Sequence, residues 1–342
     1  MVEPRTPKTG QGALPVASGG WMRSIIRRVP VWLWRMLMAQ LGPKELVRFN
    51  LDPITSVDYA VDIDFVGDGI PAHRLDVIAP KTAATAGGES LPVYVYFHGG
   101  GWTSGDKGPL TKYCASQAAA GMVVVNVNYR MATEFRMSHM LEDADAALRW
   151  VLANIGRFGG DPTRVVLGGD SAGGQISAIY SAAVTDAELA TAYHLTPALP
   201  RESLAGLVQH CSVVDFSVMF ERGFILGLGF IRMLLPTHRH GLGLRAAARY
   251  LSPIEWVGAG HPPVFVTTSE RDYFYRANLN FVARLREVGV PVETVIFERD
   301  RRNTEHTWQQ NANFPESQEV YGRLQDFVRR VTASEQASVA PN

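Results

Sequence analysis

The chain has 342 residues, 46% of them apolar, and its 33 basic side chains balance 33 acidic ones. That length and apolar content suffice for a large core, and α/β folds reach this size as one unit. Zero net charge argues against a nucleic-acid or strongly acidic partner.

Residues 1–20 are rich in Pro, Gly, Thr and Ser and are expected to be a disordered lead. Residues 21–41 mix Arg23, Arg27, Arg28 and Arg35 with Trp21, Ile25, Ile26, Trp32, Trp34 and Leu37, and Pro30 interrupts them. The longest apolar part, 29–41, is too short to span a bilayer and contains Arg35. A signal-type cleavage site is not evident. Two readings stand for this region. Residues 21–50 form a helical pair that caps an apolar pocket, or 21–41 is a basic amphipathic segment resting on a membrane surface.

Residues 58–79 alternate polar and apolar, with Gly67-Asp68-Gly69 between, which predicts an antiparallel pair at a sheet edge. Residues 81–90 are a small-residue loop. Residues 92–97 read as a buried strand that runs into His98-Gly99-Gly100-Gly101-Trp102. A glycine run there lets backbone N–H groups approach a developing oxyanion without side-chain obstruction. It is no phosphate cradle, because the Lys-Ser/Thr of a P-loop is missing. His98 is expected to orient this loop rather than act as a base. The segment 104–107 is expected to cap the next helix.

Residues 115–120 read as helix, and 122–129 as a strand buried on both faces. An amphipathic helix follows over 138–158, ended by Gly159-Gly160-Asp161-Pro162. Next, the apolar strand 164–167 leads into Gly169-Asp170-Ser171-Ala172-Gly173-Gly174 and then a helix. Serine on a tight strand-to-helix turn, with glycine two residues before and after, is a nucleophile elbow. Strands alternating with helices at this spacing predict a mostly parallel, doubly wound α/β sheet.

The motifs 98–102 (HGGGW), 128–134 (NYRMATE), Asp161-Pro162 and 169–174 (GDSAGG) occur in the order and spacing of known enzymes. Here the chain resembles the α/β-hydrolase carboxylesterases, in their hormone-sensitive-lipase-like branch. The resemblance covers residue 91 to the last helix. It implies an α/β-hydrolase fold with a helical cap, a Ser-Asp-His triad and no cofactor. Two of the amides of Gly99, Gly100 and Gly101, with that of Ala172, would form the oxyanion hole. Met131 and Thr133 depart from the usual Leu and Pro of that loop.

Residues 205–214 read as a strand. The apolar, glycine-interrupted stretch 215–251 breaks the alternation and is expected to be a cap insertion; a buried crossover helix is the alternative. Trp102, Phe216 and Phe220 are the expected substrate-binding side chains. His238 and His240 lack a carboxylate or cysteine at ligand spacing, so they read as surface residues and not as a metal site.

Residues 263–268 are a strand, and Asp272 lies just past its C-terminal end, where ligand chemistry sits in open α/β sheets. Glu270 and Asp300 compete less well for the place of the triad acid. Helix 277–288 and strand 292–297 follow. His306, on the loop after the last strand, fits the Ser-Asp-His order better than His194 or His261. Helix 316–331 closes the catalytic domain 51–331, and 332–342 is expected to be a disordered tail.

Cys114 and Cys211 belong to no C-x-x-C pattern, which suits a reducing, cytoplasmic compartment, although a disulfide between them stays open. The expected function is hydrolysis of carboxylic esters of small to medium, largely apolar substrates through an acyl-enzyme. An amidase such as an arylformamidase, a non-catalytic ligand-binding homologue, and a membrane-surface lipase remain alternatives, and a homodimer is left open.

Overall fold

The computed structural model describes residues 28–84, 90–236 and 243–333. The expected lead 1–20, residues 21–27, His238, His240 and nearly all of the tail lie outside the described residues. Eight strands form one sheet: β1 (Val57–Asp64), β2 (Arg74–Pro80), β3 (Leu91–Phe97), β4 (Val123–Val127), β5 (Gly160–Asp170), β6 (Leu204–His210), β7 (Val264–Ser269) and β8 (Val292–Phe297). Their order across the sheet is β1-β2-β4-β3-β5-β6-β7-β8. β1 and β2 run antiparallel at one edge, and every pair from β4 to β8 is parallel. This is the doubly wound arrangement expected from the alternation of strands and helices.

The helices are α1 (Val31–Phe49), α2 (Thr111–Ala118), α3 (Met137–Asn154), α4 (Ser171–Thr185), α5 (Ala187–Ala192), α6 (Gly229–Leu234), α7 (Leu244–Ala247), α8 (Tyr275–Glu287) and α9 (Pro315–Val331). Successive residues of a strand face opposite sides, so one buried strand feeds two cores. Val93, Val95 and Phe97 of β3 pack with Leu141 and Leu148 of α3, Ile179 of α4 and Phe281 of α8. Tyr94 and Tyr96 face the other layer, with Tyr113 of α2 and Leu324 and Phe327 of α9. Among the described residues no helix is long and apolar enough to cross a membrane. Cys114 and Cys211 are buried and free, so they form no disulfide.

Three local expectations change. Of the run 159–162 only Gly159, at φ +78°, is a turn: β5 begins at Gly160, and Gly160 and Asp161 pair with Leu91 and Pro92. Helix α5 escaped notice, being short and weakly patterned. The described part of 21–50 holds one helix, α1, with Pro30 at its N-cap, where a missing N–H costs no helical hydrogen bond.

The described parts of the insertion 215–251 fold into short pieces, and residues 219–227 hold the start of α1. The Arg28 guanidinium donates to the carbonyls of Met219 (2.8 Å) and Glu221 (2.9 Å). Val29 N–H donates to Ile225 O at 2.8 Å, and Gly227 N–H to Val29 O at 3.2 Å.

Three of the buried histidines have lowered pKa values and contribute to acid sensitivity. Burial pushes His210 down to about 3 and His261 down to about 4, and lowers His98 as well. Each is neutral in the fold but takes a proton near pH 6.5 once unfolded. Their folded pKa values are depressed, so stability is full above about pH 6.5 and falls as pH drops toward the folded values. We expect urea midpoints to fall from pH 6.5 to 4.5, with His261→Gln lowering that slope by about one proton. An unchanged midpoint across this window would contradict the assignment.

Candidate active site

All parallel strands end at the same edge of the sheet, and the candidate site lies along it. Ser171 follows the last residue of β5 and opens α4, with φ +50°. The turn is tight enough to need its glycines. A Cβ on Gly169 would stand 2.6 Å from Phe97 O, and one on Gly173 would stand 2.1 Å from the same oxygen. The strained φ holds the serine hydroxyl out of the turn while the backbones on either side nearly touch.

Asp272 lies just past β7 and His306 on the loop after β8. His306 Nε2 is 2.9 Å from Ser171 Oγ, and its Nδ1 is 2.7 Å from Asp272 Oδ1. The Asp272 side chain has no solvent exposure. Its Oδ1 also accepts from the Phe274 N–H (3.0 Å), and its Oδ2 from Thr268 Oγ1 (2.9 Å). These donors hold the carboxylate in one orientation, and Asp272 Oδ1 selects the Nδ1–H tautomer of His306. Tyr273 packs on the imidazole with ring centroids 4.1 Å apart. Glu270 instead accepts from the Arg299 N–H, and His261 lies near Ser181, so neither joins this line.

Cys211 was not singled out as a site residue by sequence. Its Sγ lies within 4.8 Å of ligand atoms of Asp272 and His306. Burial and the Asp272 charge push its thiol pKa well up, which suits a protonated packing residue and not a metal-binding thiolate.

The glycine loop after β3 faces the serine. Gly100 has φ +125° and Gly101 φ +61°, and a Cβ on Gly100 would stand 2.0 Å from Ser104 O. The loop is tied down by Ser104 Oγ donating to Gly100 O (2.7 Å) and Tyr129 OH donating to His98 O (2.7 Å). His98 stacks on Tyr129, centroids 4.5 Å apart, and its Nδ1 is 2.7 Å from Gly99 O. Its contacts are those of a loop-orienting residue.

The three glycine amides are not equivalent. Gly99 N–H donates to Asp170 Oδ1 at 3.0 Å, so Gly99 is removed from the expected oxyanion donors. Among the described residues no protein acceptor is bonded to the N–H of Gly100 or Gly101. Ala172 is the second residue of α4, and its N–H is one of the four that a helix start leaves unpaired. Asp170, which sequence reading passed over, also accepts from Tyr96 OH (2.9 Å) and Gln310 Nε2 (2.8 Å). Burial raises its pKa, and the Tyr96 hydroxyl, the nearby His98 and His306 and the Gly99 N–H work against that rise. Its position directly before the serine was the available signal.

A cavity of about 980 Å³ opens on Ser171, His306 and the glycine loop. Its walls include Trp34, Met38, Glu45 and Leu46 of α1, together with Leu110 and Tyr273. The three expected substrate-binding residues do not line it. Trp102, at φ +64°, is fully buried and donates from Nε1 to Gln175 Oε1 at 2.6 Å. Phe216 is buried against it, centroids 5.9 Å apart, and Phe220 packs under the Arg245 guanidinium at 4.4 Å. No described residue of 215–251 is in the cavity wall; α1 takes that place.

Esterase B from Lactobacillus rhamnosis superposes with a TM-score of 0.76 at 20% identity, covering 87% of this chain and 95% of that one. An esterase of Pyrobaculum calidifontis gives 0.67 at 24% identity, covering 92% and 99%. At these identities the likeness concerns the fold alone. Carboxylesterase NlhH of Mycobacterium tuberculosis is 32% identical over 217 residues, which is 60% of this chain and 64% of that protein. Esterase LipC of the same organism is 28% identical over 222 residues, 64% of this chain and 53% of that one. The chain thus spans less than two thirds of these relatives. Residues 94–301, more than half of the sequence, match the family described as alpha/beta hydrolase fold, and the chain belongs to that family.

Proposed function

We propose that this chain hydrolyses carboxylic esters through an acyl-enzyme formed on Ser171. The observation that carries the reading is the hydrogen-bonded line Ser171–His306–Asp272 facing the open Gly100 and Gly101 amides. His306 Nε2 takes the Ser171 proton as Oγ attacks the ester carbonyl. The carbonyl oxygen becomes an oxyanion, for which the N–H groups of Gly100, Gly101 and Ala172 are the donors. Each such donor supplies roughly 3 kcal/mol to the transition state. Asp272 balances the imidazolium. His306 then passes its proton to the leaving alcohol as the C–O bond breaks. Water, deprotonated by His306, attacks the acyl carbon, and Ser171 leaves with the proton returned.

The apolar walls from Trp34, Met38, Leu46 and Leu110 favour small to medium, largely apolar esters. The carboxylesterase names of the relatives support the same reaction class. The residues that bind substrate are therefore sought on α1 and around Leu110 and Tyr273. The free, buried cysteines suit the reducing compartment of a cytoplasmic enzyme.

The test is a chain-length series of p-nitrophenyl esters beside phenyl acetate and N-formylaniline, with fluorophosphonate labelling of the intact chain. Ester turnover with labelling at Ser171 is expected. Faster turnover of N-formylaniline than of any ester would make it an amidase. Neither turnover nor labelling would leave a non-catalytic ligand-binding homologue.

A further inference from the structure

We infer that the outward face of α1 docks on an anionic lipid surface and that the cavity draws its ester from that surface. The second half of this inference rests on the esterase reading; the docking does not. α1 has two unlike faces. At about 100° per residue, Trp34, Met38, Gly42 and Glu45 fall on one side, and all four line the cavity. The arc outside the cavity wall carries Val47, Leu37 and Leu41, all exposed, and the exposed Met36 and Trp32 stand on the wall side of its edge. Trp32 and Val47 are each 66% exposed. Single exposed apolar residues are ordinary, whereas a stripe of them along one helix marks an interaction surface.

Charge identifies the partner. Lys44 and Arg48 are exposed on the same side as the apolar stripe. The one acid of the helix, Glu45, belongs to the cavity wall. A convex face of apolar residues, tryptophan and cations matches the acyl and headgroup layers of an anionic bilayer. Residues 1–27, which lead into this helix, do not complement it. They hold four basic side chains against one acid, the same sign as Lys44 and Arg48, and favour the same anionic surface.

The geometry joins docking to catalysis. Trp32 and Met36 are exposed and belong to the cavity wall, so the stripe meets the cavity at its rim. Trp34, on the inner side, has its Nε1 3.4 Å from Gly100 O in the glycine loop. A lipid surface against α1 would therefore lie at the mouth of a cavity whose floor is Ser171.

The test uses the full chain carrying Ser171→Ala, so that binding is read without turnover. It is sedimented with phosphatidylcholine vesicles, with and without phosphatidylglycerol. Preferential binding to the anionic vesicles, weakened by salt, is expected. Leu37→Ser/Leu41→Ser/Val47→Ser should reduce the bound fraction about tenfold. Lys44→Glu/Arg48→Glu should abolish the anionic preference, and as an exchange of exposed charges it leaves the fold intact. With Ser171 restored, both variants should keep kcat/KM for soluble p-nitrophenyl acetate. Their turnover of vesicle-dispersed diacylglycerol should fall about fivefold.

Absent vesicle binding, or binding equal in parent and both variants, overturns the inference. A dimer in sedimentation velocity that these variants dissociate, without vesicle binding, reassigns the face to a second copy. Vesicle binding with no ester turnover by the restored chain would uphold the docking and overturn the esterase reading, and with it the supply of ester from the surface.

Discussion

Ser171→Ala is expected to lower kcat on p-nitrophenyl esters by about four to six orders of magnitude, with KM little changed. The alanine keeps the elbow, since only Oγ is lost. It removes the atom that His306 Nε2 meets at 2.9 Å. Ser104, the nearby hydroxyl on the cavity wall, is committed to Gly100 O at 2.7 Å and cannot replace it. What persists is the contribution of the glycine-loop and Ala172 amides, which still stabilise attack by water to a small degree. Stopped assays with active-site titration measure this directly. A variant with near-parental turnover would remove Ser171 from the mechanism.

Gly173→Ala is expected to cost at least about 4 kcal/mol of stability, the range reserved for forced backbone displacement. The added methyl would lie 2.1 Å from Phe97 O and 2.4 Å from His98 O. Both atoms are main chain at the junction of β3 and the glycine loop, so relief requires moving α4 or the oxyanion donors. Activity should therefore fall together with the melting temperature.

Gly322→Ala is the informative control. Gly322 is exposed in α9, and nothing lies within 4 Å of its would-be Cβ. There the same substitution should stabilise by about 0.5–1 kcal/mol, because alanine loses less backbone entropy in a helix. Denaturant unfolding of the two variants should give opposite signs. Equal effects would show that the elbow is looser than its geometry indicates.

The pairing of α1 with the cavity changes where selectivity should be sought. The glycine-interrupted insertion looked like the pocket because it is apolar and breaks the strand–helix alternation. One of its aromatic side chains, Phe230, instead packs against α1. Phe230 meets Trp34 edge-on, centroids 6.5 Å apart, and packs 6.1 Å from Trp102. Through these contacts and the Arg28 bonds, the insertion positions the wall without itself being the wall.

Sequence alone determined what depends on short stretches of chain. Short apolar runs marked the central strands, such as 92–97 and 122–129, because a strand buried on both faces needs little else, and alternation marked the edge pair. The serine turn and glycine loop were legible because close backbone approach admits only glycine at Gly169, Gly173 and Gly100. Asp272 and His306 were readable because strand ends in a parallel sheet converge on one edge, whatever the intervening helices.

Tertiary structure decided what depends on the direction of a side chain or the far partner of a polar group. Gly99 and Gly100 look alike in sequence, yet only Gly99 spends its N–H on Asp170, a carboxylate 71 residues away. Trp102, Phe216 and Phe220 have the composition of a substrate pocket, but long-range packing turned them away from the cavity. The N-terminal segment carried two readings in sequence, cap and surface helix, because the faces of α1 are not distinguished by composition. In three dimensions a helix has two sides, and α1 presents one to the cavity and the other to solvent.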